Sequence, residues 1–324
     1  FFDMGWISLG KSTLPEYGFV PSTEFEHDEP THNPWNLNRT AGGSSGGSAA
    51  LVAAGVVPVA HAADGGGSIR IPSSCNGLVG MKATRGRFPE PAFSDDKLVG
   101  ITGHGIVSRS IRDLANYLAE VERLTPPNKR LETIGRVQRP TQRRLRIGYL
   151  LETPSGPGID PEIRRETEKV IKLLEELGHE MVERPLPVGN DVVEAFTLYW
   201  AFLALFTDKT AKKLLDPSYD RSQRTPFTED LSRYALERKR SIPGAIRLLK
   251  KQKQVASDTV FSNVDVLLSP TLAQLPTELG ELSMLQDADT LFEKLKNFCP
   301  FTPYANATGT PSLTVPMGHD DPTN

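Results

Sequence analysis

The stretch GGSSGGSAALVAAGVVPVAHAADGGGSIRIP, residues 42–72, places two loops rich in glycine and serine on either side of a short apolar segment. Glycine loses more conformational freedom on folding than other residues, so such clusters indicate backbone with positive φ or a close approach to another group. Residues 45–54 favour a helix and residues 56–63 favour a buried strand. We therefore predict one loop at a helix start and the other at a strand end, with positive φ at Gly66.

Three interpretations of these loops are open: flexible turns, a phosphate-binding cradle and a serine nucleophile site. The phosphate interpretation is disfavoured, because neither loop contains a lysine or fits a phosphate-binding motif. A strand end would present Ser68 beside free backbone amides, which is the arrangement that acyl transfer requires. The G-x-S-x-G motif is absent around Ser68, so a Ser-His-Asp triad has no support and we interpret His61, His104 and His179 as structural.

The spacing of the loops and four flanking motifs make the pattern specific. Ser44 and Ser68 are 24 residues apart, and the second loop continues as DGGGSIRIP. The flanking motifs are GKSTLPE at 10–16, NPWN at 33–36, GLVGMKATRGR at 77–87 and PYANATGTPSLTVPM at 303–317. Together they resemble the amidase signature family of serine amide hydrolases over nearly the whole chain.

Two positions depart from that family pattern. Asn76 stands where the family usually has cysteine, and Ala83 stands where it usually has proline. Within the family, the sequence looks nearest to bacterial amidases of the 6-aminohexanoate-cyclic-dimer (nylon-oligomer) hydrolase branch.

The resemblance implies the chemistry of the site. Ser68 would attack the amide carbonyl and form an acyl-enzyme, and Ser44, on a cis peptide, would pass protons between Ser68 and a lysine. The backbone N–H groups of Gly65, Gly66, Gly67 and Ser68 would form the oxyanion hole. The implied reaction needs no cofactor and no metal.

Supporting roles follow from the same resemblance. Asp64 would orient the glycine loop by accepting backbone N–H groups, and Arg70 would pair with a buried carboxylate beneath the site. The residues implied to bind the substrate are Gly43, Ser45, Phe301 and Tyr304.

The catalytic lysine of the family lies farther upstream of the bridging serine than the 43 residues that precede Ser44 here. Lys11 is the substitute that the chain offers, but we expect it at a strand end away from the serines. The chain begins at Phe1 without methionine and ends at Asn324, where the family continues. We therefore expect a fragment of a longer enzyme.

Composition favours an enzyme without macromolecular ligands. The formal net charge is −3, with basic residues spread along the chain, so nucleic acid is not expected. Cys75 and Cys299 give no disulfide framework and no metal-ligand spacing. No apolar run is long enough for a membrane span and no signal peptide is visible, so we predict a cytoplasmic protein without membrane contact. The expected partner is a small-molecule amide, and a homodimer stays open.

The predicted architecture is a single α/β domain over residues 1–324, with a large mixed, mostly parallel β-sheet flanked by helices on both faces. Strands and helices alternate over residues 145–186, which is typical of βαβ units. A further strand is predicted over residues 5–9. Residues 190–263 favour helices, whose aromatic residues either form a wall of the substrate pocket or pack in the core.

Three functions remain open at this stage. The first is hydrolysis of a carboxylic amide by a Ser-Ser-Lys apparatus. The alternatives are the glutaminase subunit of a tRNA-dependent amidotransferase and a catalytically inactive remnant that binds amides.

Overall fold

A four-stranded antiparallel sheet lies at the centre of the site region in the computed structural model, which describes residues 1–89, 98–154, 158–186 and 188–318. Its strand order is β3-β5-β4-β9, where the strands are β3 (Val59–Asp64), β5 (Gly103–Ser108), β4 (Val79–Lys82) and β9 (Ser312–Thr314). All three pairings are antiparallel. A separate hairpin joins β1 (His32–Asn33) to β2 (Asn36–Thr40).

A second sheet is parallel, with the order β7-β6-β8. Its strands are β6 (Arg146–Tyr149), β7 (Glu180–Glu183) and β8 (Val266–Leu268). The helices in chain order are α1 (Gly46–Ala53), α2 (Arg70–Cys75), α3 (Ile111–Leu124), α4 (Pro161–Glu176), α5 (Asn190–Leu214), α6 (Pro226–Glu237), α7 (Ile242–Thr259), α8 (Ala288–Phe298) and α9 (Pro303–Thr308).

The predicted α/β class is confirmed, and parallel pairing holds for β7-β6-β8. Antiparallel pairing in the other sheet differs from the expectation of a mostly parallel one. The reason is β5, a strand that we did not predict, which lies between β3 and β4 and runs opposite to both. The described residues between β4 and β5 contain no crossover helix, so the chain turns back directly.

The strand predicted over residues 5–9 is wrong. These residues are irregular after a short 3-10 turn at Phe2–Met4. Ile7 and Leu9 are 85% and 79% exposed, and in the described part of the chain no strand pairs with this segment. A strand is stable only when a neighbour satisfies its backbone groups, so apolar alternation alone did not suffice here.

Local signals set the helix starts. The hydroxyl of Ser110 accepts the Asp113 amide at the start of α3, as the capping sequence predicted. Asp160 caps α4 in the same way and Pro161 occupies its first turn. No helix of the described residues is both long and apolar enough to cross a membrane.

The main hydrophobic core lies between α5, α6, α7 and α8. Tyr199, Phe227, Leu249 and Leu291 are completely buried in it. The cluster extends to Phe19 and Ile71, which lie beside the glycine loops. The helical region 190–263 therefore supports the site through a shared core.

We predict that Phe227→Ala lowers the free energy of unfolding by about 3–5 kcal/mol, because it leaves a cavity in this core. Phe227 is fully buried and its ring centroid lies 5.5 Å from that of Phe292. Leu236→Ala on the same helix is the control, since Leu236 is 48% exposed and its loss changes stability by about 0.5 kcal/mol or less. Urea unfolding measures both, and equal losses would contradict this view of the core.

Candidate active site

The second glycine loop connects the end of β3, at Asp64, to the start of α2, at Arg70. The backbone N–H groups of residues 65–68 donate no hydrogen bond to any described residue. The two following amides are used within the loop: Ile69 N donates to Asp64 Oδ2 at 3.2 Å, and Ile71 N donates to Gly67 O at 2.6 Å. Four consecutive amides of the loop therefore remain available to a ligand.

Gly67 is the loop position that requires glycine. Its φ is 137°, and a Cβ there would overlap Thr302 Oγ1 and lie 2.6 Å from Ile71 Cδ1. Gly66, where we expected positive φ, has no such angle, and a Cβ there would only touch Phe196 at 3.9 Å. The expectation was therefore one residue out, because the glycine run alone does not show which residue faces Thr302.

A buried ion pair supports the loop from below. Asp64 and Arg70 are 0% and 2% exposed, and two guanidinium nitrogens each lie 2.9 Å from an oxygen of the carboxylate. Asn306 completes the network, since its Nδ2 donates to both Asp64 O and Asp64 Oδ1 at 2.9 Å, and its Oδ1 accepts from Arg70 at 2.7 Å. The predicted buried partner of Arg70 is thus Asp64 itself.

The network also sets the charge state of Asp64. Burial by itself would raise the pKa of this carboxyl, but the charge and hydrogen bonds of Arg70 and the amide of Asn306 lower the pKa below its ordinary value. Asp64 is therefore ionised at neutral pH and accepts the Ile69 amide, which is the orienting contact expected for it.

The first loop packs against the second. The Gly43–Ser44 peptide bond is cis, as the resemblance implied. Ser45 N donates to Ser68 O at 3.4 Å, and Ser45 Oγ bonds both backbone groups of Ala63, at 3.2 and 3.3 Å. Ser45 thus ties the start of α1 to β3 and to the serine of the second loop.

Ser44 lies beneath a third backbone segment. A Cβ on Gly18 would come within 3.0 Å of Ser44 Oγ, so the Ser44 hydroxyl faces this glycine. Gly43 packs directly on the backbone of Ser22, where a Cβ would lie 2.7 Å from Ser22 N and O. Neither the Ser44 nor the Ser68 hydroxyl makes a hydrogen bond within the described part of the chain.

A cavity of about 170 Å³ opens beside Ser68. Tyr304 lines it as predicted, whereas Gly43 and Ser45 are not among its lining residues. Phe301 packs instead in a core cluster with Leu150 and Ile159. The next residue, Thr302, donates to Gly66 O at 2.7 Å, so this segment contacts the loop through Thr302 and the core through Phe301.

Helix α5 forms one wall of this cavity through Phe196 and Trp200. The Trp200 indole N–H donates to Phe19 O at 3.2 Å, and a Cβ on Gly65 would lie 3.0 Å from the Trp200 ring. Tyr199, on the other face of the helix, is buried in the core. Both sequence interpretations of the aromatic helix therefore apply, each to a different face.

The sequence reasoning missed three residues of the site. Thr302 and Asn306 contact the loop from 236 and 242 positions away along the chain, and no local pattern signals such contacts. Lys82, at the end of β4, is 2% exposed and donates to Ala83 O at 2.9 Å. Burial, together with the charge of Arg70, lowers the pKa of Lys82 to about 7, although the Asp64 carboxylate opposes this shift.

Lys11 is exposed and lies in an irregular segment. Residues 5–12, GWISLGKS, fit the G-x-x-x-x-G-K-[ST] spacing, which the sequence reasoning overlooked. A phosphate loop needs a strand before it and a helix after it, and this segment has neither. In the described ranges, no three His, Cys, Asp or Glu side chains form a group that could hold a metal ion.

The family model for amidases matches residues 2–323. The chain belongs to the amidase family. It is 42% identical to AmiC of Mycobacterium bovis, whose amidase name is provisional, over 97% of this chain and 66% of that protein. It is 31% identical to the 6-aminohexanoate-cyclic-dimer hydrolase of a Pseudomonas species, over 97% of this chain and 67% of the relative. This amidase chain thus spans about two thirds of the length of those relatives.

Solved structures of the family share the fold. The structure of 6-aminohexanoate cyclic dimer hydrolase with substrate has a TM-score of 0.84 at 27% identity, over 96% of this chain and 68% of that one. One subunit of the glutamyl-tRNA(Gln) amidotransferase from Thermotoga maritima has a TM-score of 0.72 at 26% identity, over 96% and 67%. The family resemblance drawn from the motifs is confirmed.

We predict that Arg70→Met lowers the free energy of unfolding by about 3–5 kcal/mol, because it leaves the Asp64 carboxylate buried without its counter-charge. The matched control is Arg123→Met, which removes an exposed arginine that pairs with Glu120 on the surface of α3. The control should leave stability nearly unchanged. Thermal and urea unfolding measure both variants, and a small effect at Arg70 would show that the ion pair does not hold the loop.

Proposed function

We propose that this protein hydrolyses a carboxylic amide through an acyl-enzyme on Ser68. The observation that carries the proposal is the position of Ser68, which lies at the wall of a cavity and follows three residues whose backbone amides are unpaired in the described structure. A serine with converging N–H donors is the arrangement that stabilises a tetrahedral oxyanion. Membership of the amidase family supports the same reaction.

The proposed reaction has two stages. In the first, Ser68 Oγ forms a bond to the amide carbon while its proton leaves through Ser44 to a base, and the C–N bond breaks as the amine takes up a proton. In the second, water attacks the acyl-enzyme ester, the carboxylic acid leaves, and the proton returns to Ser68. The amides of residues 65–68 bind the oxyanion in both stages.

The base is assigned to a lysine outside these 324 residues. The family resemblance implies such a lysine upstream of the bridging serine, and Lys11 is exposed in an irregular segment. The close packing of Gly18 over Ser44 Oγ supports a relay role for that hydroxyl, since it is enclosed beside the second loop. Loss of a general base typically lowers a rate about 10²- to 10⁴-fold, so the complete gene product is the protein to assay.

We expect a fluorophosphonate probe to label Ser68 in the complete gene product, because this reagent reacts with activated serines. Ser68→Ala should abolish labelling and lower kcat/KM for a simple amide by about 10³-fold or more. Ser74→Ala, an exposed serine on α2, is the control and should keep both. Peptide mass mapping locates the label: labelling at Ser44 with Ser68 untouched contradicts the assignment, and no labelling with no turnover favours the inactive remnant.

We expect Gly67→Ala to lower kcat/KM by at least about 100-fold, because a methyl group would displace Thr302 or turn the oxyanion amides away. Gly66→Ala tests the adjacent position, where the added methyl finds only an ordinary contact with Phe196. Its loss should be smaller by about tenfold or more. Steady-state kinetics with circular dichroism as a folding check measures both. Equal losses would mean that the backbone angle of Gly67 has no special role.

A further inference from the structure

The cavity beside Ser68 is almost without charge. Of the described residues that line it, one is charged: Lys296, whose ammonium lies 2.6 Å from the Glu293 carboxylate. The Lys296 side chain is 39% exposed, so this charge lies toward solvent and already has a partner. The interior of the cavity therefore offers no counter-charge to a charged ligand within the described part of the chain.

The walls are apolar and partly aromatic. Phe19, Phe196, Trp200 and Phe292 line the cavity together with aliphatic side chains of α5, α8 and the flanking loops. The Phe19 and Trp200 rings meet edge to face at 5.6 Å, and Phe196 lies nearly parallel to Trp200 at 6.0 Å. These contacts fix the aromatic wall beside Gly65 and Gly66.

The volume sets the size of the group that can enter. The cavity measures about 170 Å³. An apolar protein cavity of about 150 Å³ is large enough to bind benzene. A phenyl ring or a short alkyl chain attached to the scissile amide therefore fits, and its burial contributes roughly 25 cal/mol for each Å² of apolar surface removed from water.

A charged group in the same place would be strongly disfavoured. Moving an ionised carboxylate or ammonium into an apolar site without a counter-charge costs several kcal/mol. Glutamine carries both charges close to its amide, and the described lining supplies no carboxylate and only the paired ammonium of Lys296. The cavity thus disfavours the glutaminase alternative on electrostatic grounds.

We propose that the substrates are neutral amides whose attached group is apolar and about the size of a benzene ring, and that amides with a charge on that group are excluded. The inference rests on the proposed hydrolysis at Ser68 and names the substrate class of that site. Gln252 offers a way to change the selectivity: it is 5% exposed, lines the cavity, and donates to Leu248 O of its own helix at 3.2 Å.

The test compares benzamide with 4-carboxybenzamide, which differ by one carboxylate. Calorimetric Kd values are measured on the Ser68→Ala protein, so the result does not depend on turnover, and kcat/KM is measured on the active enzyme. We expect benzamide to bind at least about 100-fold more tightly. Binding of the two amides within about threefold would overturn the inference. Selective binding without hydrolysis would support the inference while overturning the proposed reaction.

A charge added to the wall should reverse part of this preference. Gln252→Lys places an ammonium in the cavity and should reduce the ratio of the two Kd values by about tenfold or more. Gln254→Lys makes the same change on the exposed side of α7, where Gln254 bonds Asp258, and should leave the ratio as it was. If Gln252→Lys does not fold, Thr197→Lys on the α5 wall replaces it. An unchanged ratio in the folded cavity variant would contradict the inference.

Discussion

The ion pair between Asp64 and Arg70 is the interaction on which the site depends. Two opposite charges are buried six residues apart in sequence, at the end of β3 and the start of α2, and each would be strongly unfavourable without the other. Their pairing closes the glycine loop and occupies the Ile69 amide with Asp64 Oδ2. The amides of residues 65–68 are thereby left unbonded to the described residues. Chemistry at this loop thus requires the charge pair beneath it.

Close backbone contact is the second constraint, and it explains the glycines better than flexibility does. Gly67 lies against Thr302, Gly65 against Trp200 and Gly43 against the backbone of Ser22, so each contact joins the loops to a different part of the chain. Ser45 adds hydrogen bonds to Ala63 and Ser68. The two serine loops are therefore held by their surroundings in one arrangement, which suits catalysis because preorganised donors need no rearrangement during the reaction.

Much of the secondary structure could be predicted, because it depends on local patterns. The capping serine of α3, the proline in the first turn of α4 and the apolar run of β3 each act within a few residues. The pairing of strands could not be predicted in the same way. β5 contains two glycines and a histidine, so it gave a weak strand signal, and its position between β3 and β4 depends on long-range pairing.

The sequence by itself determined the family, the two loops and the identities of Ser44, Ser68, Asp64 and Arg70, since fixed spacing and local glycine chemistry carry that information. Only the tertiary structure decided that Asn306 bonds Asp64, that Phe301 packs in the core and that α5 walls an uncharged cavity. The physical reason is that a side chain's surroundings depend on which distant segments pack against it. Charge and volume in a cavity are sums over such segments, and no local stretch of sequence contains them.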